Sequence, residues 1–483
     1  MGKKPLYYFE QNGSLYFASE IKSLLTIPGF QRRINLEALD AYLSYKHIPH
    51  PFSIFEGVYS LPPAHKLIFR QGEPVQISRY WSPQFVEDSE RSAQSEDELV
   101  QGLLELLKRG VEKRLMSDVP VGFFLSGGID SSLSTALAAE NSSQPIKTFT
   151  LTYGEKATTD GKEQDRKWSR WVAQKYKTEH HEESLEVKDF PENIIKILSC
   201  FDEPFCGTTS TYFLSSLIAK HVKVAVSGDG ADELFGSYLS HRLASPIANL
   251  KKFDETGDLD LIRPFEKDLS YLHKIAENTQ PDWRKKLFVF SEAEKKSLLN
   301  SSLDTSGFKS ISQKLKLEFA KLQSTEPLNR ILEWEFNSFL PDQVLTYVDR
   351  LSMAHSLEVR SVFLDTDVVN YVTPLSSDHK IRNGETKYLL KKAALKYFPE
   401  EMVFRGKEGF VLPVNRWVYD SMEKYARDTL SKSNLNRHGL FDGDAVSNLI
   451  DQLYKSEKQP HHTEINKLLS LIMFQEWYGL YMS

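Results

Sequence analysis

Ser126-Gly127-Gly128-Ile129-Asp130-Ser131-Ser132 gathers small residues, hydroxyls and one carboxylate into a single short stretch. Just before it, Val119-Pro120-Val121-Gly122-Phe123-Phe124-Leu125 is the short apolar run expected of a strand buried on both faces. Just after it, residues 132–140 are rich in Ala and Leu and stop at Asn141-Ser142-Ser143, as a helix would. Strand, small-residue loop and helix together make a phosphate cradle. Paired glycines admit close backbone approach, and the first helical N–H groups and the helix dipole face the anion. Ser126, Ser131 and Ser132 add hydroxyl donors, and Asp130 can hold a magnesium ion between phosphates. No Gly-Lys-Ser/Thr follows, so this is not a Walker loop. The alternative is an ordinary strand-to-helix turn.

A second apolar strand, Val224-Ala225-Val226, opens into Ser227-Gly228-Asp229-Gly230-Ala231-Asp232-Glu233-Leu234-Phe235-Gly236. In open α/β sheets ligands bind at the carboxyl ends of strands. Asp229, Asp232 and Glu233 would repel one another unless a cation or basic partner stood nearby. A magnesium–nucleotide complex would supply that cation; a solvated acidic turn is the plainer alternative.

The elements that must position these loops alternate. Residues 99–114 are amphipathic, with Leu99, Leu103, Leu106, Leu107 and Val111 at helical spacing. Strands are expected at 119–125, 146–152, 178–185 and 222–226. Helices are expected at 164–177 (Trp168, Trp171, Val172 and Tyr176 on one face), 190–201 and 212–221. Such alternation predicts an α/β fold, a parallel sheet with helices on both faces. Residues 240–340 and 385–483 read as mostly helical. The first 83 residues read as β-rich with one helical patch at 36–45, and Asn12-Gly13 marks a hairpin turn. Residues 84–97 read as a polar linker.

The 483 residues allow two or three domains. Charged residues at 26% and hydrophobic ones at 40% are ordinary for a globular protein. A net charge of −6 implies no general nucleic-acid affinity. Cys200 and Cys206 alone argue against a disulfide scaffold and suit a reducing cytosol. Their spacing makes no recognisable metal site, and Cys206 reads as a small buried or loop residue rather than a reactive thiol. Met1-Gly2-Lys3-Lys4-Pro5 opens no signal peptide or myristoylation motif, and runs such as 468–474 are too short to span a membrane. A soluble cytoplasmic protein is expected.

The first loop resembles that of the ATP pyrophosphatase superfamily. With the second, the chain resembles glutamine-dependent asparagine synthetases over nearly its whole length. Asp349-Arg350-Leu351-Ser352-Met353-Ala354-His355-Ser356-Leu357-Glu358-Val359-Arg360, Val362-Phe363-Leu364-Asp365, Gly384-Glu385-Thr386-Lys387-Tyr388-Leu389-Leu390 and Arg405-Gly406-Lys407-Glu408-Gly409-Phe410 match further family segments in order. The resemblance implies a parallel-sheet ATP pyrophosphatase domain with a helical C-terminal part over 98–483. It also implies a linker at 84–97 and an incomplete β-rich glutaminase domain of N-terminal nucleophile type over 1–83.

It implies ATP and Mg2+ as cofactors, with aspartate and ammonia as the other small-molecule substrates. The aspartate carboxylate would attack the α-phosphate, and ammonia would release asparagine and AMP from a β-aspartyl adenylate. By motif match Ser126, Gly127, Gly128, Ser131 and Ser227 would hold pyrophosphate, and Asp130 and Asp232 magnesium. Leu125 and Leu151 would border adenine and ribose, with Gly228 contributing backbone. Lys407 would face the reacting groups as a point charge. Arg360 and Asp229 would lie near the amino acid. Otherwise, Lys407 would be a solvated lysine, and Arg360 a structural ion-pair partner of Asp365 or Glu358. Asp229 stands where some members carry Glu.

One departure concerns nitrogen supply. The family hydrolyses glutamine with a cysteine at its first residue, whose α-amine can serve as base. Here Lys3-Lys4-Pro5-Leu6-Tyr7-Tyr8, Phe17-Ala18-Ser19-Glu20-Ile21-Lys22 and Leu61-Pro62-Pro63-Ala64-His65 resemble segments deep inside that domain. Roughly the first hundred residues of the family pattern, with the cysteine, have no counterpart. A glutaminase half without activity is expected, its remaining strands having lost sheet partners. Three other functions compete: amidation of another acid, a non-catalytic nucleotide-binding relic, and tRNA thiolation. The last is disfavoured by the lack of a basic stripe or paired catalytic cysteines. No membrane partner is expected, and a homodimer is left open.

Overall fold

A computed structural model describes residues 1–153, 162–186, 189–276, 282–305, 307–406, 418–419, 421–455 and 462–482. Among the described residues ten strands run in chain order: β1 Tyr7–Gln11, β2 Ser14–Ala18, β3 Tyr59–Ser60, β4 His65–Ile68, β5 Gln76–Arg79, β6 Val121–Phe124, β7 Lys147–Tyr153, β8 Glu179–Leu185, β9 Val224–Ser227 and β10 Glu358–Ser361.

The central sheet has five parallel strands in the order β10-β9-β6-β7-β8. The chain runs outward from β6 through β7 to β8, then returns to the other side of β6 as β9. The strand order therefore reverses between β6 and β9, a switch point at whose carboxyl ends open α/β sheets bind ligands. Both loops read as phosphate and cation sites begin there. Helices Glu96–Leu115 and Ile129–Glu140 pack together, so the first loop sits on a buried support. Ser95 caps the longer of these helices, accepting from the N–H of Glu98 while the Glu98 carboxylate accepts from the N–H of Ser95.

The expected strands and helices of this region appear within a few residues of their expected ends. The fifth strand, β10, was not anticipated. Its Glu358-Val359-Arg360-Ser361 is short and half charged, and it pairs only with β9 at the sheet's edge.

In the N-terminal part, β1 and β2 form the expected hairpin. Asn12 and Gly13 between them have φ of 52° and 69°, as a type I′ turn requires. The helix Leu36–Tyr45 is capped by Asn35, whose side chain accepts from the N–H groups of Glu37 and Ala38.

This part does not stand alone. Tyr42 and Phe55 share one apolar core with Phe474 and Trp477 of the last helix, His462–Tyr481. Tyr42 donates to the Ser470 carbonyl (2.8 Å), and the Phe55 and Trp477 rings lie 5.7 Å apart, edge to face. Strands β2 and β3 are the outer strands of its three-stranded sheet, and Phe17 on β2 is 66% exposed. Nor is the stretch 84–97 a free linker: Phe85 is fully buried against Phe336, and a short helix spans Ser89–Ser92.

Candidate active site

The loop after β6 owes its shape to Gly127. Its φ is +81°, and a Cβ there would come within 2.3 Å of the Asp165 carbonyl oxygen, so only glycine fits. Gly128 then begins the helix without a side-chain cap for its first N–H groups. Ser131 ties the loop together: its hydroxyl accepts from the Ser126 N–H (3.1 Å) and lies 3.0 Å from the Ser126 hydroxyl. Arg405 braces the loop from behind, donating to the Gly127 carbonyl (3.0 Å) and pairing with Asp165 (2.5 Å).

The loop after β9 interlocks with the first. A Cβ on Gly228 would lie 3.0 Å from the Asp130 Cβ and 3.1 Å from the Ser131 nitrogen. Ser227 donates to the Asp229 carboxylate (2.6 Å), and Ser361 of β10 donates to the Asp229 carbonyl (2.6 Å). Burial, opposed by the Ser227 bond and reinforced by the Asp232 and Asp130 charges, pushes the Asp229 carboxyl up to about 6. Burial also raises Glu233, with the Asp232 charge adding to it, and Tyr238 donates to the Glu233 carboxylate (2.7 Å).

At the centre stands a lysine that sequence reading left without a role. Lys387 reaches Asp130 at 2.6 Å and Asp232 at 2.7 Å while only 3% exposed. Burial works against its charge, but the two aspartates outweigh it and hold Lys387 above its ordinary value. Its motif, Gly384 to Leu390, was recognised; its partners lie far away in sequence, so nothing local assigned it to the loops.

Asp130 and Asp232 fit a magnesium site. Each stands in the first turn of a helix, and both direct an oxygen at one nitrogen atom, an arrangement suited to sharing a single cation. Two carboxylates plus substrate phosphates are an ordinary magnesium set. No cluster of three or more His, Cys, Asp or Glu residues suited to a metal exists among the described residues.

The other expected residues are placed as follows. Leu125 is fully buried; its N–H bonds the Phe149 carbonyl, and its own carbonyl accepts from Thr150. Leu151 is buried in β7. Arg360 is not brought to the loops. Its guanidinium pairs with Glu358 (2.8 Å) and donates to the carbonyls of Arg114 (2.9 Å) and Met116 (2.8 Å), ahead of β6. Asp365 is held instead by Arg114 and Lys113. Lys407 lies outside the described residues. Cys200 and Cys206 are free thiols, and burial raises both.

The description "Asparagine synthase" matches residues 102–479. The chain belongs to this family. The description "Glutamine amidotransferase domain" matches residues 1–81. "Asparagine synthetase [glutamine-hydrolyzing] 1" of Bacillus subtilis is 28% identical over 99% of this chain and 74% of its own length. "Putative asparagine synthetase [glutamine-hydrolyzing] 2" of Methanocaldococcus jannaschii is 31% identical over 62% of this chain and 55% of its own. "Amidase chyE" of Penicillium rubens is 25% identical over 94% of this chain and 73% of its own. Within the matched region the two loops meet at one switch point, each contributing an aspartate to the Lys387 ammonium. No helix among the described residues is long and apolar enough to cross a membrane.

Proposed function

We propose that this chain amidates aspartate to asparagine at the expense of ATP, through a β-aspartyl adenylate, releasing AMP and pyrophosphate. The convergence of Asp130, Asp232 and Lys387 where the two loops interlock carries this reading. In the first step an aspartate carboxylate oxygen bonds the α-phosphorus, and the bond to pyrophosphate breaks. In the second, ammonia bonds the acyl carbon, the bond to AMP breaks, and the nitrogen loses a proton. Pyrophosphate leaves with concentrated negative charge, so positioning and charge neutralisation decide the rate.

Ser126, Gly127, Gly128, Ser131, Ser227 and Gly228 are assigned to the phosphates, with Leu125 and Leu151 at the nucleoside. Magnesium bound by Asp130 and Asp232 would neutralise phosphate charge. Lys407 is assigned to the reacting phosphate and acyl groups, and Asp229 to the amino-acid side. The bonds of Arg360 support a role in holding β10 against the segment before β6. Aspartate labelled with oxygen-18 in its side-chain carboxylate should pass one label to AMP; unlabelled AMP would exclude the adenylate.

Since a relative matching 94% of this chain carries a name without asparagine, the alternative is amidation of a different carboxylate. AMP release that depends on another acid and not on aspartate would select it.

A further inference from the structure

Holding Lys387 at the centre of the site is costly. A buried ammonium is desolvated, and its backbone adopts a left-handed φ of +54°. The main chain is fixed in this state: its N–H donates to the Gly236 carbonyl (3.2 Å), and its carbonyl accepts from the Lys391 N–H (2.8 Å). Gly236 ends the helix Ala231–Phe235 that carries Asp232. The lysine backbone is thus tied to the element bearing one of its partners, and the side chain is the part free to move.

Resting on the nucleotide chemistry proposed above, we infer that the Lys387 ammonium is the resident counter-ion of the Asp130–Asp232 pair, so that divalent metal enters the site only together with nucleotide phosphates. The reason is charge. With the lysine in place the two aspartates carry a net charge of −1 rather than −2. A bare divalent ion entering between the carboxylates would stand against an ammonium whose backbone cannot retreat, and like charges at that range repel strongly. A metal–nucleotide complex brings its own negative oxygens, and these neutralise the displaced ammonium. Metal and nucleotide then bind with positive coupling. An empty site keeps its carboxylates paired and collects no metal.

The test is manganese(II) binding to the full chain without nucleotide, followed by loss of the free-ion electron paramagnetic resonance signal. Wild type should bind weakly. Lys387→Met should bind at least about tenfold tighter, since two uncompensated carboxylates remain. Lys387→Arg should stay as weak as wild type. Adding Asp232→Asn to Lys387→Met should remove the gain. Equal affinity of wild type and Lys387→Met for the bare ion overturns the inference.

If Lys387→Met does not fold by circular dichroism, wild type alone decides. With a non-hydrolysable ATP analogue, manganese should bind at least about tenfold tighter than without it, after correction for metal held by the analogue in solution. No gain overturns the inference. Coupled metal and nucleotide binding without aspartyl transfer would sink the proposed reaction and leave the counter-ion standing. Aspartyl transfer without coupling would do the reverse.

Discussion

Gly228 lies against Asp130: a Cβ added to the glycine would meet the aspartate Cβ at 3.0 Å. The loop after β9 thereby positions the carboxylate of the loop after β6. Gly228→Ala must push the two apart by a few tenths of an ångström. Catalysis depends steeply on such placement, so kcat should fall about tenfold while thermal stability changes little. An unchanged kcat would mean that the loops move independently.

Gly127→Ala should be harsher. It combines a left-handed φ with a Cβ 2.3 Å from the Asp165 carbonyl oxygen. A loss of roughly 2–3 kcal/mol in unfolding free energy is expected, with nucleotide binding abolished. Calorimetry and a fluorescent nucleotide analogue would read the two effects separately.

Glu203 gives a pH signature at the contact between the N-terminal part and the sheet domain. It accepts from the Ile54 N–H (2.8 Å) and from Tyr7 (3.2 Å), and burial pushes its carboxyl from 4.5 up to about 7. The folded protein binds the extra proton between these two values. The destabilisation is therefore absent below the lower value, grows as pH rises, and is complete above the upper one. Glu203→Gln should stabilise by about 3 kcal/mol near pH 8 and by nothing near pH 4. Denaturant unfolding at both pH values checks this.

Asp229 should mark the rate. With its carboxyl at about 6, the charged form accumulates as pH rises through that value. The acidic limb of kcat/KM for aspartate should have its midpoint there and disappear in Asp229→Asn. A limb that survives in the variant assigns it to another group.

Arg360→Lys separates a structural from a substrate role. Lysine cannot make the planar set of bonds to Glu358, Arg114 and Met116. A lower melting temperature with an unchanged KM for aspartate is expected. A raised KM at unchanged stability would return Arg360 to the substrate.

The hairpin at Asn12-Gly13 and strands β6 and β9 were legible because local chemistry dictates them: a turn needing positive φ, and apolar runs opening into glycine-containing loops. Strand β10 was not, because Glu358 and Arg360 interrupt any apolar run, and its pairing comes from β9. Phe85 hid within a polar stretch because one buried ring leaves no periodicity. Lys387 escaped because both of its partners are distant in sequence, and only the folded sheet brings them together.

The most direct measurement is AMP and pyrophosphate formation from ATP and aspartate, with ammonium or glutamine as the nitrogen source. Aspartate-dependent turnover with ammonium is the predicted result. No aspartate-dependent turnover with either nitrogen source would contradict the synthetase.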